Sequence, residues 1–168
     1  MTEESKPRAR VLLSLCFEPR AEQIASLRGA VSELCKPYLA DPDELSRVLL
    51  AAHELLENIV KYSAGGTAEF QFAIEPVADG LRVRLTTKNR AQPERLADVR
   101  RRLDALDAAL DPIAHYDELI RASAGRRDGS GLGLARIPAE SELSLGYAIE
   151  HDTLILTAEG GTIESEPA

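Results

Sequence analysis

His53-Glu54-Leu55-Leu56-Glu57-Asn58-Ile59-Val60-Lys61-Tyr62-Ser63 closes a long helical pattern, and its reading decides how the rest of the chain is read. An α-helix turns ~100° per residue, which sets Glu54, Asn58 and Lys61 on one narrow stripe. Leu45, Val48, Leu49, Ala52, Leu55, Leu56 and Ile59 fall on roughly the opposite face, so one side is available for burial. The stripe offers a carboxylate, an amide and an ammonium group within two turns. That set suits a metal-bound polyphosphate, with the amide oxygen as a hard Mg²⁺ ligand, the lysine as a phosphate partner and the carboxylate as a base. The same spacing also describes an ordinary solvated helix face. Spacing alone does not separate the two.

Upstream, Asp41-Pro42-Asp43-Glu44 carries the signals of a helix start: an aspartate cap, a proline at the first position and a glutamate three residues on. Ala64-Gly65-Gly66 is the matching stop. Before this helix, Arg10 to Phe17 reads as a short strand and Arg20 to Leu34 as a helix, with Ile24, Leu27, Val31 and Leu34 at helical spacing. After it come two alternating strands, Phe70-Phe72-Ile74 and Leu81-Val83-Leu85, turning at Ala78-Asp79-Gly80. Pro93 to Ala109 and Ile113 to Ala122 are predicted helices. A glycine-rich segment, Ala124 to Leu134, runs into a short helix ending near Pro138, and two more strands are expected at Glu142–Glu150 and Thr153–Ala158.

The resulting order is β-α-α-β-β-α-α-loop-α-β-β. Strands come as adjacent hairpins, which predicts an α+β two-layer sandwich: a mostly antiparallel sheet with helices on one face. Residues 10–158 are expected to form one domain, 1–9 a disordered lead and 159–168 a flexible tail. No internal repeat interrupts this.

Composition narrows the function classes. Of 168 residues, 44% are hydrophobic and 29% charged, as in ordinary globular proteins, and the net charge is −8. An acidic chain with no basic patch interleaved with aromatics is not expected to bind nucleic acid. Any polyphosphate would need a local site, because the global field repels it. Cys16 and Cys35 give neither metal spacing nor a disulfide framework, which favours a reducing cytoplasm. No apolar run approaches the ~20 residues that span a bilayer, and no membrane association is expected.

Gly129-Ser130-Gly131-Leu132-Gly133 is the second motif. Glycines ahead of a helix N-terminus let backbone N–H groups approach phosphates closely, although such a run also serves as a simple turn. It follows a helix rather than a strand and has no lysine after it, so it fits neither a dinucleotide fingerprint nor a Walker A loop. His53-Glu54-Leu55-Leu56-Glu57 lacks the second histidine of a zinc protease helix. His53 followed by Glu54 also resembles a phosphoacceptor histidine, against the plainer reading of a structural or exposed side chain.

Together the two stretches carry a resemblance. Glu54-Leu55-Leu56-Glu57-Asn58-Ile59-Val60-Lys61-Tyr62-Ser63 resembles the N-box of the GHKL ATPases (gyrase, Hsp90, histidine kinases, MutL). Gly129-Ser130-Gly131-Leu132-Gly133-Leu134 resembles their second glycine box. The lead-in of one strand and two helices is similar to the anti-sigma-factor serine kinases of bacterial partner switches. The middle, from Asn89 to Leu134, is similar to a relative of those kinases that regulates an anti-sigma-antagonist-like partner. The resemblance covers roughly residues 10–158 and implies a Bergerat-type ATP-binding fold.

By position, the resemblance makes Asn58 a Mg²⁺ ligand and Glu54 the base that deprotonates a partner's hydroxyl. Lys61 would meet phosphate, the backbone of Gly129, Gly131, Leu132 and Gly133 would wrap it, and Ser130 would add a hydrogen bond. ATP and Mg²⁺ are the implied cofactors. A small anti-sigma-antagonist-like protein or sigma-type regulator is the implied partner, and a homodimer is compatible. One departure stands out. The family's first glycine box, Asp-x-Gly-x-Gly, is expected after a strand ending near Leu85, where this chain reads Thr86-Thr87-Lys88-Asn89-Arg90-Ala91-Gln92-Pro93. Asn89 takes the place of the aspartate that accepts the adenine amino group.

Overall fold

The computed structural model describes residues 11–78, 80–124 and 131–163. Its elements follow the expected order: β1 (Val11–Phe17), a 3-10 turn (Ala21–Gln23), α1 (Ile24–Cys35), α2 (Pro42–Tyr62), β2 (Ala68–Val77), β3 (Gly80–Arg90), α3 (Pro93–Asp107), α4 (Pro112–Ser123), α5 (Leu132–Glu140), β4 (Ser144–Glu150) and β5 (Thr153–Ile163). The five strands form one antiparallel sheet in the order β1-β2-β3-β5-β4, with helices packed on one side. The expected α+β two-layer architecture is the one observed.

Local chemistry explains the frame. The Asp41 carboxylate accepts a hydrogen bond from the Asp43 N–H at 2.9 Å, and Pro42 fills the first turn, where a missing N–H does no harm. Asp111 caps α4 through the Ile113 and Ala114 N–H groups in the same way. Alternation then sets the sheet's inner face. Phe70, Phe72 and Ile74 of β2, Leu81, Val83 and Leu85 of β3, and Leu154, Leu156 and Ala158 of β5 are all buried against α2, which contributes Val48, Ala52, Leu55, Leu56 and Ile59. At ~25 cal/mol per Å² of apolar surface, each such residue contributes on the order of 2 kcal/mol. The outer face is polar, with Arg84 bridging Glu75 and Glu159 at 3.3 and 2.9 Å.

Three boundaries differ from the sequence expectation. β3 does not end near Leu85 but continues through Arg90, because no glycine or proline interrupts it and both flanks are paired: Thr87 with Phe70 and Leu156, and Asn89 with Leu154. β5 runs past Ala158 to Ile163, so the expected flexible tail begins as strand, held by pairing of Glu159 and Gly160 with Arg84 and Val83. α5 passes through Pro138 instead of stopping there. Pro138 lies in its final turn, and the end is closed by Ser141, whose hydroxyl and N–H both donate to the Ile137 carbonyl. The lead at 1–9, Arg10, Asp79 of the hairpin turn and residues 164–168 lie outside the described residues.

Candidate functional site

α2 and α5 pack against each other and meet at Glu54. Helix spacing puts Glu54 and Asn58 one turn apart, and α5 packs on Glu54 through Gly133 and Arg136. Glu54 is only 8% exposed and Asn58 5%. The solvated-face reading therefore fails for these two residues, because a helix far along the chain supplies a second burial surface. Lys61 is exposed.

The contact is close. Gly133, in the first turn of α5, leaves so little room that a Cβ built there would collide with the Glu54 carboxylate oxygen Oε2. The other carboxylate oxygen, Oε1, accepts a hydrogen bond from Arg136 Nη1 at 3.1 Å. Arg136 also donates from Nε to Glu140 at 2.7 Å. Hydrogen bonding to Glu140, more than that to Glu54, raises the arginine further above its ordinary value. Gly131 adopts φ +111, a left-handed conformation suited to glycine, and its missing side chain is matched by the Arg102 guanidinium pressed against it. Gly131 supplies no side-chain cap to α5, and uncapped helix N-termini leave backbone donors for an anion.

Between these elements lies a cleft of about 430 Å³, a size that holds small-molecule ligands. Glu54, Asn58 and Lys61 line it from α2, Gly131 and Gly133 from the start of α5, and Arg136 from its middle. Tyr116 of α4, Ala21 of the 3-10 turn and Ile24 at the start of α1 also line it. Burial, reinforced by Glu140, raises the Tyr116 phenol, and burial likewise raises that of Tyr62. At the Lys61 end, Lys61 and Arg95 lie 5.5 and 5.9 Å from the Tyr62 ring centroid, and Arg95 donates to the Lys61 carbonyl at 3.2 Å.

Thus the structure brings Glu54, Asn58, Lys61, Gly131, Leu132 and Gly133 together in one cleft. Gly129 and Ser130 lie outside the described residues. Asn89 stands apart. It does not line the cleft, is 2% exposed, and donates through Nδ2 to the neighbouring Arg90 carbonyl at 3.2 Å. Arg136 was not legible as a site residue, because its position after a glycine-rich run resembles any helix surface. Its spacing one turn before Glu140 signals only an i,i+4 pair. His53 also lies outside the cleft lining, with Nε2 3.2 Å from Glu57 on the same helix.

Several buried atoms lack partners among the described residues: Asn58 Nδ2, Ser63 Oγ, Thr87 Oγ1 and Asn89 Oδ1. They belong to the C-terminal half of α2, its cap, and the end of β3, where the inner-face alternation turns from Leu85 to Thr87 and Asn89. Unsatisfied buried polar atoms are unusual and mark places where a ligand or water completes the structure. Asn58, which lines the cleft, and the Gly131–Gly133 cradle fit a phosphate-bearing ligand. Among the described residues no cluster of three or more His, Cys, Asp or Glu side chains forms a metal cage. The Asn58 atom left without a partner is the amide nitrogen, a donor suited to a phosphate oxygen, and Mg²⁺ would need the amide oxygen of the same side chain together with substrate phosphates and water.

No helix in the described residues is long and apolar enough to cross a membrane. No protein-family profile and no curated protein matches the chain. Its fold is similar to that of a chain in the crystal structure of the SiaB–SiaC complex from Pseudomonas aeruginosa. The TM-score is 0.60 at 24% identity, with 86% of this chain and 88% of that one covered. The α+β sandwich is thus a fold already seen in a two-protein assembly.

Proposed function

We propose that the chain is an ATP-dependent serine/threonine kinase of the anti-sigma-factor type, a GHKL-like domain acting on a small partner protein in a partner switch. The observation that carries this reading is the meeting of two sequence-distant motifs: Gly133, at the start of α5, lies directly on Glu54, and Asn58 lines the same cleft. The likeness to a chain of the SiaB–SiaC complex supports a protein partner.

Bound Mg²⁺-ATP would supply the phosphoryl group. Asn58 would hold Mg²⁺ through its amide oxygen, while the backbone from Gly131 to Gly133 and the Lys61 ammonium neutralise phosphate charge. Glu54 would take the proton from an incoming serine or threonine hydroxyl. Such chemistry depends on positioning and electrostatics, and asks little covalent work of the protein. Asn89, which the resemblance gives to the amino group of the base, is set in β3 outside the cleft lining and has no part in this proposal.

A second reading is a protein-binding module that does not catalyse transfer. It is favoured by the hydrogen bond that occupies Glu54 Oε1 and by the crowding of Oε2 against Gly133. Incubation of the chain and its co-purifying partner with γ-labelled ATP separates the readings. The kinase leaves acid-stable label on the partner, lost in Glu54→Gln. A binding module leaves none, and acid-labile label on His53 would identify a relay protein instead.

A further inference from the structure

Arg136 occupies a position that the nucleotide reading does not explain. It lines the same cleft as Asn58, Lys61 and Gly133, and it holds the carboxylate that is to act as base. Glu54 is confined, its side chain 9% exposed, whereas the Arg136 side chain is 40% exposed and has room to turn. Glu140 tethers it from the outside at 2.7 Å, keeping the guanidinium at the cleft wall whether or not it touches Glu54. A guanidinium has five donors in a planar fork, suited to carboxylate and phosphate alike. An incoming phosphate is therefore a direct competitor for the bond that Arg136 makes to Glu54.

The order of charges along α2 says which phosphate that is. A base acts at the reacting end of its substrate, so the terminal phosphate belongs beside Glu54. Lys61, seven residues further along α2 at ~1.5 Å per residue, serves the other end of a polyphosphate. The cation next to the base is Arg136. Resting on the nucleotide reading above, we infer that Arg136 is the specificity-determining contact for the terminal phosphate: it pairs with Glu54 and is transferred to the phosphate when a triphosphate enters. The exchange frees the Glu54 carboxylate only when a transferable phosphoryl group is present, so a diphosphate leaves the base closed.

The test is calorimetric titration of the full chain with Mg²⁺-ATP and with Mg²⁺-ADP. The wild type is expected to prefer ATP by ~10-fold or more, as a charge-assisted bond provides. Arg136→Gln brings ATP affinity down to that of ADP and leaves ADP affinity unchanged, which also reports that the site is folded. Arg136→Lys, with charge but no fork, falls between. Glu54→Gln, by releasing the arginine, tightens ATP a few-fold without moving ADP, and that gain vanishes in the double variant. Amide hydrogen exchange in α5 gives a second readout, with Glu54→Gln loosening its first turn in the absence of nucleotide. Equal losses for ATP and ADP in Arg136→Gln, or no loss for either, overturn the inference while leaving nucleotide binding intact. No binding of either nucleotide by the wild type overturns the nucleotide reading itself, and the inference with it.

Discussion

Gly133 stands against Glu54 so closely that the smallest side chain would strike its carboxylate. Two helices distant in the chain thus meet at a point where one must present bare backbone. Gly29 of α1 is a useful contrast, since a Cβ there would meet nothing within 4 Å. Alanine improves helix propensity by ~0.5–1 kcal/mol at either position. At Gly133 the clash opposes it by ~1–3 kcal/mol, and Glu54 cannot easily retreat while Arg136 holds it. Gly29→Ala should therefore raise the melting temperature and Gly133→Ala should lower it, each by a few degrees at about 2–4 °C per kcal/mol for this size. Thermal denaturation checks both. Two shifts of the same sign would contradict the close packing of α5 on α2.

The two cysteines report the burial of α1. Cys35 is fully buried, and Cys16 sits exposed on the edge strand β1. A maleimide should label one thiol in the native chain and two after denaturation. Rapid labelling of both in the native chain would mean that α1 does not pack as observed.

Burial pushes the Cys35 thiol up from 9.0 to about 12. Above pH 9.0 the unfolded chain ionises this thiol while the folded chain keeps its proton, so the folded state binds more protons and stability falls as pH rises. Below pH 9.0 the contribution is fully present, and it is lost as pH climbs towards about 12, at no more than ~1.4 kcal/mol per pH unit. The Tyr62 and Tyr116 phenols, also raised by burial, steepen the same limb. Denaturant melts from pH 8 to 11 should show a shallower alkaline fall in Cys35→Ala. Identical slopes would contradict it.

At the acid end, the Arg90 guanidinium beside Asp152 holds that carboxyl below its ordinary 3.8, and Asp152 Oδ2 accepts from Arg90 Nε at 2.7 Å. A lowered folded value gives stability that is present above pH 3.8 and disappears as pH falls through the folded value. The stability gap between wild type and Asp152→Asn should be largest near neutrality and should close below pH 3.8. A gap constant with pH would show that the pair does not act through charge.

Much of the fold was readable where local chemistry is strong. Asp41-Pro42, the Phe70–Ile74 alternation and the Ala78-Asp79-Gly80 break each specify their element without help from distant residues. The cleft was readable only in halves. Glu54 and Asn58 look like a solvent-facing stripe because a helical wheel knows one buried side, and the second comes from α5, with 82 positions separating Glu54 from Arg136. Asn89 illustrates the opposite limit. Its place in the chain assigned it to the cleft, yet the continuation of β3 through Arg90 sets it in the sheet, beneath the helices and apart from the cleft lining. Strand continuation depends on two paired neighbours, which a single segment does not reveal.

The proposed binding of Mg²⁺-ATP through Asn58 in the cleft between α2 and α5 is read by calorimetric titration with ATP, with and without Mg²⁺. Micromolar binding that requires Mg²⁺ and is lost in Asn58→Ala, while the variant's melting transition persists, is the expected result. Binding that ignores both Mg²⁺ and the Asn58 substitution, or no heat at millimolar nucleotide, would contradict it.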